Sequence, residues 1–591
     1  MPLLAVVIAS AVILTIAYFV YGPILARLLQ LDASRKTPAV ELRDDVDYVP
    51  LEPNALMSQH FSAIAAAGPI VGPILAGVWF GWLPALIWIL VGSIFIGGVH
   101  DMSALVASIR HKARSIAEVV RDHMSQRAFV LFLSFVWFAL VYIIVAFTDI
   151  TAASFVGTQT LENGGKVTGA GIASSSLMYL ALPIIMGLLL RFTKLSLGAA
   201  TVIFLPLVGV AIWAGQHLPF DMTAILQTYY PAADDKLAHK AWDILLLAYC
   251  CVASVVPMWL LLQPRGHLGG YFLYVALLGG ALGLIFGGGN IEFEAYRGWT
   301  SPVTGGTLFP VLFITIACGA CSGFHALIAS GTTSKQLRVE TDAKVIGYGA
   351  MLLEGMVAIV SLCCVMRLTM DSELLKNPQP NLIYAMGIGS FLEVLGLNPQ
   401  LGVAFALMAF TTFVYDTLDV CTRLGRYIIQ ELTGWYDNRG KWLGTLVTGG
   451  APVLFVLLPP TTINGKPAPL WRVFWELFGA SNQLLAALTL LGVTVWLWRT
   501  RRAWWVWPVA GVPTVFMYCM STWALGRMIV AQWTLISGTA PVQTVTYVLF
   551  AITCLLVVLA LLMLVEAVRA LLPGRPQTGG PNLPVVAAAA T

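Results

Sequence analysis

The chain has 591 residues, of which 58% are hydrophobic and only 10% are charged, and its mean hydropathy is +0.83. A soluble domain carries about 25% charged residues, so this composition excludes a soluble enzyme and indicates a polytopic membrane protein. The net charge of +4 does not indicate nucleic-acid binding, because the basic residues lie in short loops between apolar segments.

Apolar runs of about 17–25 residues are long enough to cross a bilayer as helices. The chain has about fifteen such runs, which predicts an all-α membrane protein with one transmembrane domain over residues 1–570. The tail 571–591 is rich in Pro, Gly and Ala and is predicted to be disordered. The predicted spans are 3–29, 60–80, 82–108, 128–156, 174–190, 195–214, 242–263, 268–286, 308–330, 342–367, 399–422, 443–460, 475–498, 504–525 and 542–568.

The basic residues predict the orientation of the spans, since cytoplasmic loops of membrane proteins are rich in Lys and Arg. The loop 109–127 carries five of them and is predicted to be cytoplasmic. The N-terminus is then periplasmic and the C-terminus cytoplasmic. Alternation from that loop places outside the segments poorer in Lys and Arg, which are 157–173, 215–241, 287–307, 368–398 and 461–470.

The span 60–80 contains two Gly-Pro pairs, Gly68-Pro69 and Gly72-Pro73. Proline removes a backbone donor and clashes with the preceding turn, so two such pairs predict a broken or unwound helix. At membrane depth, non-helical backbone survives only where it is buried in protein or lines a cavity. Transporters build substrate and ion sites from such helices, and the sequence therefore predicts a transport site at this break.

Ionisable side chains near the centre of a span are costly, at roughly 2.5–3.5 kcal/mol each. Glu354 lies near the middle of its span and is predicted to bind the coupling proton or cation; a structural hydrogen bond to a neighbouring helix is the alternative. Asp149 and Asp243 lie near span ends, where charge costs less, and Asp149 is a second coupling candidate. His325 lies deeper and is a candidate for a relay or for substrate contact, or else a core histidine with satisfied hydrogen bonds.

Two charged pairs are candidates for a gate at the cytoplasmic side. His100 and Asp101 are predicted to end the third span, where they pair with each other or with Arg110, as a gate or as an interfacial cap. Asp419 and Arg423 are four residues apart on one helix face and are predicted to form an ion pair. Asp419 is also a candidate for coupling.

Other functions are disfavoured by the sequence. It contains no P-loop, GxSxG, HExxH or dinucleotide fingerprint, which excludes ATP-driven transport by this chain alone. Cys318 and Cys321 form a CxxC, but without a second pair or clustered histidines no metal site is predicted. An intramembrane enzyme would need a nucleophile and a base deep in a span, for which Cys318 or Ser322 with His325 is the sole candidate. A nutrient sensor would need a signalling domain from a separate partner.

Six further segments stand out along the chain. They read HFSAIAAAGPIVGPILA, GWLPALIWILVGSIFIGGVHD, VPMWLLLQPR, SGTTSKQL, FVYDTLDVCTRLGRYIIQEL and LFGASNQLLAAL. Together they resemble the carbon starvation protein A family, over about residues 5–570. Asp416 departs from the family pattern, which usually has Thr.

This resemblance implies a bacterial inner-membrane transporter that imports peptides during carbon starvation, with no enzymatic activity and no cofactor. A proton or a sodium ion is implied as the coupling ion. Close relatives in the family carry pyruvate with protons, so a pyruvate–proton symporter is the alternative. The family is grouped with amino acid–polyamine–organocation transporters, whose core has two inverted five-helix repeats, here over about 60–214 and 242–422.

The repeat architecture implies where substrate and ion would bind. Span 60–80 would be core helix one and span 242–263, which contains Pro257, would be core helix six, with the substrate between them near Gly68 and Gly72. In such transporters a cation often lies between the unwound carbonyls of core helix one and hydroxyls of core helix eight. The matching hydroxyls here belong to Ser322 with Thr332 or Thr333.

Overall fold

The computed structural model describes residues 2–45, 47–65, 67–160, 166–287, 289–376, 378–458, 461–463, 466–539 and 541–572. From residue 573 onward the predicted disordered tail lies outside these residues. In the described part of the chain the α-helices are α1 (Leu3–Leu28), α2 (Pro38–Glu41), α3 (Pro53–Ile64), α4 (Gly68–Phe80), α5 (Trp82–Gly92), α6 (Gly98–Arg110), α7 (Ile116–His123), α8 (Gln126–Ser154), α9 (Gly169–Phe192), α10 (Leu197–His217), α11 (Met222–Tyr229), α12 (Asp235–Val255), α13 (Leu262–Gly287), α14 (Leu308–Thr315), α15 (Ala317–Ala320), α16 (Gly323–Ile328), α17 (Ala350–Met366), α18 (Glu373–Lys376), α19 (Pro380–Val394), α20 (Pro399–Thr433), α21 (Asn438–Val456), α22 (Leu470–Arg501), α23 (Val512–Ile536) and α24 (Thr544–Leu571).

Twelve helical spans in the described residues are long and apolar enough to cross a membrane, and α3 with α4 makes a thirteenth, bent one. The chain is therefore a multi-pass, all-α membrane protein, as predicted. The count is close to the expected fifteen; it is lower because span 308–330 is divided into short helices and because α21, although long enough, is not apolar enough.

Burial separates central helices from peripheral ones. In the most apolar stretch of α22 every residue is buried, and α17 and α20 are nearly as well covered. By contrast, only about a third of the corresponding stretch is buried in α1 and α24. Most of their exposed side chains are apolar, as expected for helices that face lipid.

The predicted break in span 60–80 is confirmed. Helix α3 ends at Ile64 and α4 begins at Gly68, and the two axes differ by 45°. Pro69 is in the first turn of α4, where its missing N–H would have no intrahelical partner in any case. Pro69 thus starts a new helix after the break, whereas Pro73, expected to interrupt the span as well, lies inside α4.

A second broken segment runs from α14 through α15 and α16 into a π-helical turn, Ala329–Thr333. It crosses the first break at close range, since a side chain at Gly68 would overlap Cys318 and one at Gly72 would overlap the Thr315 carbonyl oxygen. The helix that meets α4 there is therefore not the predicted 242–263. Helix α12 packs instead against α8, α20 and α21.

The boundary between the predicted spans 242–263 and 268–286 also differs from expectation. Helix α12 ends at Val255, and α13 already begins at Leu262. Pro264 follows directly after the predicted span 242–263, but it lies in the first turn of α13, where proline is tolerated. Arg265 consequently belongs to a buried helical turn and not to a cytoplasmic loop.

Short elements occupy the predicted outer segments. Strand β1 (Thr158–Thr160) pairs antiparallel with β2 (Lys166–Thr168), and β3 (Thr461–Ile463) pairs antiparallel with β4 (Lys466–Ala468). The predicted outer loop 368–398 contains α19, which packs against α20 and α13.

Candidate functional site

Four ionisable side chains meet beside the second break. Asp101 on α6 binds two histidines, with Oδ1 2.7 Å from His100 Nδ1 and Oδ2 2.8 Å from His325 Nδ1. The other ring nitrogen of His325 lies 3.1 Å from Glu354 Oε2, at ion-pair distance but outside hydrogen-bonding geometry. All four side chains are completely buried. In this histidine–carboxylate cluster (His100, Asp101, His325 and Glu354), His325 bridges two carboxylates.

The cluster forms because small residues let its helices approach closely. A π-helical turn over Ser93–Gly97 precedes α6, and such turns often occur at functional sites. A side chain at Gly97 would overlap the Ala320 carbonyl oxygen and press on Met351 of α17. Small residues at helix contacts are typical of membrane proteins. Here they bring α6 against both the second break and the helix that carries Glu354.

A second cluster of buried charges lies where α12, α13 and α20 meet. Arg265 donates from Nε to Asp416 at 2.6 Å and from Nη1 to both Asp419 and the Tyr249 hydroxyl. Ser62, near the end of α3, donates its hydroxyl to Asp416. In this arginine–aspartate cluster (Arg265, Asp416 and Asp419), two carboxylates share one guanidinium. Arg265 Nη2 and Asp419 Oδ1 have no hydrogen-bond partner among the described residues.

His60 on α3 lies between the histidine–carboxylate cluster and the arginine–aspartate cluster. Its Nδ1 lies 2.8 Å from the Thr333 hydroxyl in the second broken segment. Its ring is also close enough to Asp101 and His325 to interact with their charges. His60, Thr333 and Asp416 line a small cavity of about 10 Å³, which has room for about one water molecule.

A larger cavity, of about 530 Å³, extends toward the second break from the side predicted to be cytoplasmic. Leu327 and Ser330 line its inner part, and charged residues of both signs line its mouth. Burial raises the pKa of Glu118 at this mouth, while the neighbouring Arg121 opposes the rise. This cavity gives water and small solutes a route to within a turn of His325.

The pair His100 and Asp101 forms as expected, but not at an interface. The helical span continues from Trp82 to Arg110, so both residues lie in its interior and are fully buried. Arg110, at the end of that span, pairs with Glu340 at 2.6 Å and does not contact the pair. The expected interfacial cap is therefore corrected to a place in the core.

The expected ion pair between Asp419 and Arg423 does not form. Asp419 turns to Arg265, and Arg423 Nη2 donates to the carbonyls of Ala253 at 2.9 Å and Val256 at 2.5 Å. The last carbonyls of a helix have no intrahelical partner, and the helix dipole favours a cation there. Arg423 therefore binds the carbonyl groups at the end of α12 and not Asp419.

Three residues predicted to bind substrate lie outside both clusters. Gly68 and Gly72 pack against the second break, as described above, and Pro257 is exposed just after α12. None of the three lines a cavity described here. Their role in substrate binding stays a prediction.

Ser322, the predicted cation ligand, is bonded to Asn482 of α22. The Ser322 hydroxyl lies 3.2 Å from Asn482 Oδ1, and Asn482 Nδ2 lies 3.3 Å from Cys318 Sγ. Asn482 also accepts the backbone N–H of Phe324 at 2.9 Å. Because both ring nitrogens of His325 face carboxylates, neither Ser322 nor Cys318 forms the nucleophile–base pair that an intramembrane enzyme would need.

Sequence reasoning missed the residues that join the helices. Arg265 falls between the predicted spans 242–263 and 268–286, and neither His60 nor Tyr249 is among the predicted site residues. A usable signal existed for Arg265, since a first-turn proline is compatible with a helix that starts just before it. No local signal marks Asp416 and Arg265 as partners, because 151 residues separate them.

The sequence profile of the family described as "Carbon starvation protein CstA" matches residues 3–380 and 369–524. The chain belongs to this family. Relatives in the CstA family are similar over most of their length. The pyruvate/proton symporter BtsT of Escherichia coli is 32% identical, over 88% of this chain and 81% of the relative. The peptide transporter CstA of Campylobacter jejuni is 33% identical, over 86% of this chain and 78% of the relative.

Among solved structures, the chain is similar to a manganese transporter of Eremococcus coleocola in complex with an aromatic bis-isothiourea compound. The two are 14% identical with a TM-score of 0.44, and the match covers 90% of this chain and 99% of that one. This similarity is too low to indicate a shared site.

Proposed function

We propose that this member of the CstA family is a secondary transporter of the bacterial cytoplasmic membrane that imports short peptides, driven by a proton gradient. The single observation that carries the proposal is the histidine–carboxylate cluster, in which His325 bridges Asp101 and Glu354 beside the crossing of two broken helices. Broken helices are where secondary transporters place their sites.

The cluster has the composition of a proton carrier. An ionised carboxylate in a dry site is strongly disfavoured unless it is paired. The imidazolium of His325 lies between Asp101 and Glu354 and can pair with either carboxylate. When one of these groups gains or loses a proton, the carboxylate that pairs with His325 changes, and so does the helix to which His325 is bound. Protonation is thereby linked to the contact between α6, α16 and α17, which is the kind of two-state element that coupling requires.

The arginine–aspartate cluster supports a peptide as the substrate. Two carboxylates face one guanidinium there, so the cluster has an excess of negative charge that the ammonium group of a peptide would balance. Ser62 links it to the end of α3, next to the first break. The free Nη2 of Arg265 is a donor for a carboxylate, so both ends of a short peptide have a complementary group nearby.

A pyruvate–proton symporter is the second candidate. A relative that is 32% identical bears that name, and the same Arg265 donor would suit the carboxylate of pyruvate. Pyruvate has no ammonium group, however, so the excess negative charge of Asp416 and Asp419 would disfavour it.

The test is uptake by purified protein in proteoliposomes. Labelled di- and tripeptides and labelled pyruvate are supplied in turn, with a proton gradient or a sodium gradient imposed separately. We expect concentrative uptake of peptides with the proton gradient alone. Uptake of pyruvate in place of peptides would assign the second candidate, and a requirement for sodium would exclude the histidine–carboxylate cluster as the proton carrier. If empty liposomes and proteoliposomes took up equal amounts of each labelled substrate, the proposal of transport would be contradicted altogether.

A further inference from the structure

Three metal-ligand side chains converge at a site that neither cluster uses. His239 and Asp243 are four residues apart and share one face of α12, opposite Asp149 of α8. His239 Nε2 lies 3.1 Å from Asp149 Oδ1 and 3.8 Å from Asp243 Oδ2. One ligand atom from each residue lies within 4.8 Å of the other two. Ligands of a tetrahedral zinc ion, with bonds of about 2.0–2.2 Å, stand about 3.4 Å apart, so the spacing is already close to that of a bound ion.

One oxygen atom of these carboxylates is buried without a hydrogen-bond partner. The Asp243 side chain is 3% exposed, and its Oδ1 has no hydrogen-bond partner among the described residues. Buried polar atoms are nearly always paired, and a buried ionised carboxylate is especially costly. Here two carboxylates face a single imidazole, and Lys240, three residues before Asp243 on α12, supplies one further positive charge near them. A bound cation would therefore balance the negative charge of the site.

The surroundings also fit a metal centre. The backbone N–H of Trp471 donates to Asp149 Oδ2 at 2.8 Å and leaves Oδ1 facing His239. Metal-binding carboxylates are usually oriented by a second hydrogen bond of this kind. His239 is partly exposed and lines a cavity of about 350 Å³, which gives an ion a path and leaves a position for water as a fourth ligand.

We propose that Asp149, His239 and Asp243 bind one divalent transition-metal ion of the zinc class, which joins α8 to α12. Imidazole nitrogen with two carboxylates suits zinc, whereas calcium and magnesium prefer oxygen ligands alone. The ion would tie two helices at the ends predicted to be periplasmic. This inference does not depend on the substrate or on the coupling ion proposed above.

The test uses the full-length chain, purified in detergent and freed of metal with a chelator. Zinc is titrated in and bound zinc is measured after equilibrium dialysis; cobalt is titrated in parallel, because a four-coordinate cobalt site is recognisable by its visible absorption. We expect one zinc per chain. His239→Gln and Asp243→Asn should each weaken binding by about tenfold or more, since even the loss of an outer-shell partner costs about 10–100-fold.

His217→Gln is the matched control, because His217 is an exposed histidine whose Nδ1 is bonded to the Trp213 carbonyl. It should bind zinc like the unaltered chain. Thermal unfolding without metal checks that each variant is folded, and zinc should raise the unfolding temperature of the unaltered chain and of His217→Gln only. No stoichiometric zinc in the unaltered chain, or equal binding by His239→Gln and Asp243→Asn, would overturn the proposal.

Discussion

Glu354 is a carboxylate whose nearest charged neighbour is one imidazole. Its side chain is fully buried in α17, and neither oxygen makes a well-formed hydrogen bond among the described residues. A carboxylate held this loosely can change its charge without dismantling a hydrogen-bond network. Asp101, by contrast, is held by two histidines at 2.7 and 2.8 Å. Of the two, Glu354 is thus the better suited to carry the proton in the transport proposed above.

We expect Glu354→Gln to abolish gradient-driven accumulation of substrate while leaving the protein folded. Glutamine keeps the shape of the side chain but removes its charge and its titration. The measurement is labelled-substrate accumulation in proteoliposomes at several pH values. Glu393→Gln, at an exposed position on α19, should accumulate substrate normally. Normal accumulation by Glu354→Gln, with unchanged pH dependence, would show that Glu354 is structural.

Arg265 is predicted to be a large contributor to stability. Arg265→Met would leave Asp416 and Asp419 buried without their counter-charge, and breaking a buried pair in this way costs about 3–5 kcal/mol. We expect a markedly lower unfolding temperature in detergent. Arg43→Met is the control: it removes an exposed ion pair with Asp45 and should change the unfolding temperature little. Adding Asp416→Asn to Arg265→Met should restore part of the loss, and failure to do so would argue against a charge effect.

At the scale of elements, the two broken segments depend on each other. The first break places Gly68 and Gly72 against the second segment without intervening side chains. Such close contact lets the polar backbone at both breaks be buried in protein, as a membrane environment requires. Pro69 begins the helix that follows the first break, and the glycines allow the crossing.

Gly72→Ala tests this crossing. The added methyl group would overlap the Thr315 carbonyl oxygen, and overpacking of this kind costs about 1–3 kcal/mol. We expect a lower unfolding temperature in detergent and slower transport. Gly209→Ala in α10 is the matched control, because no neighbouring helix comes within 4 Å of its added methyl group. Alanine there should be neutral or stabilising, since Gly in a helix is less favourable by about 0.5–1 kcal/mol. If the two variants behave alike, the crossing is not tightly packed.

At the scale of the whole molecule, the arrangement of basic loops predicts a periplasmic N-terminus and a cytoplasmic C-terminus. Single cysteines at positions 114, 234 and 292 test this orientation, in a background with Cys519→Ser to remove an exposed cysteine. All three positions are exposed. A membrane-impermeant thiol reagent should label 234 and 292 in intact cells, and 114 only after permeabilisation. Labelling of 114 in intact cells would reverse the predicted topology.

The sequence by itself determined the class of the protein, the approximate number of spans and the first break. These features depend on local properties, namely apolar runs of bilayer length and prolines that cannot continue a helix. It also singled out Glu354 and His325, because an ionisable group inside an apolar run is recognisable without knowing its neighbours.

Only the tertiary structure decided which of these groups meet. His325 joins Asp101 and Glu354, Arg265 joins Asp416 and Asp419, and the first break packs against the second broken segment. Local rules predicted Arg423 as the partner of Asp419, four residues away on the same helix. Asp419 pairs instead with the buried guanidinium of Arg265. A carboxylate that is buried away from water needs a counter-charge buried beside it, and the packing of distant helices determines which cation supplies that charge.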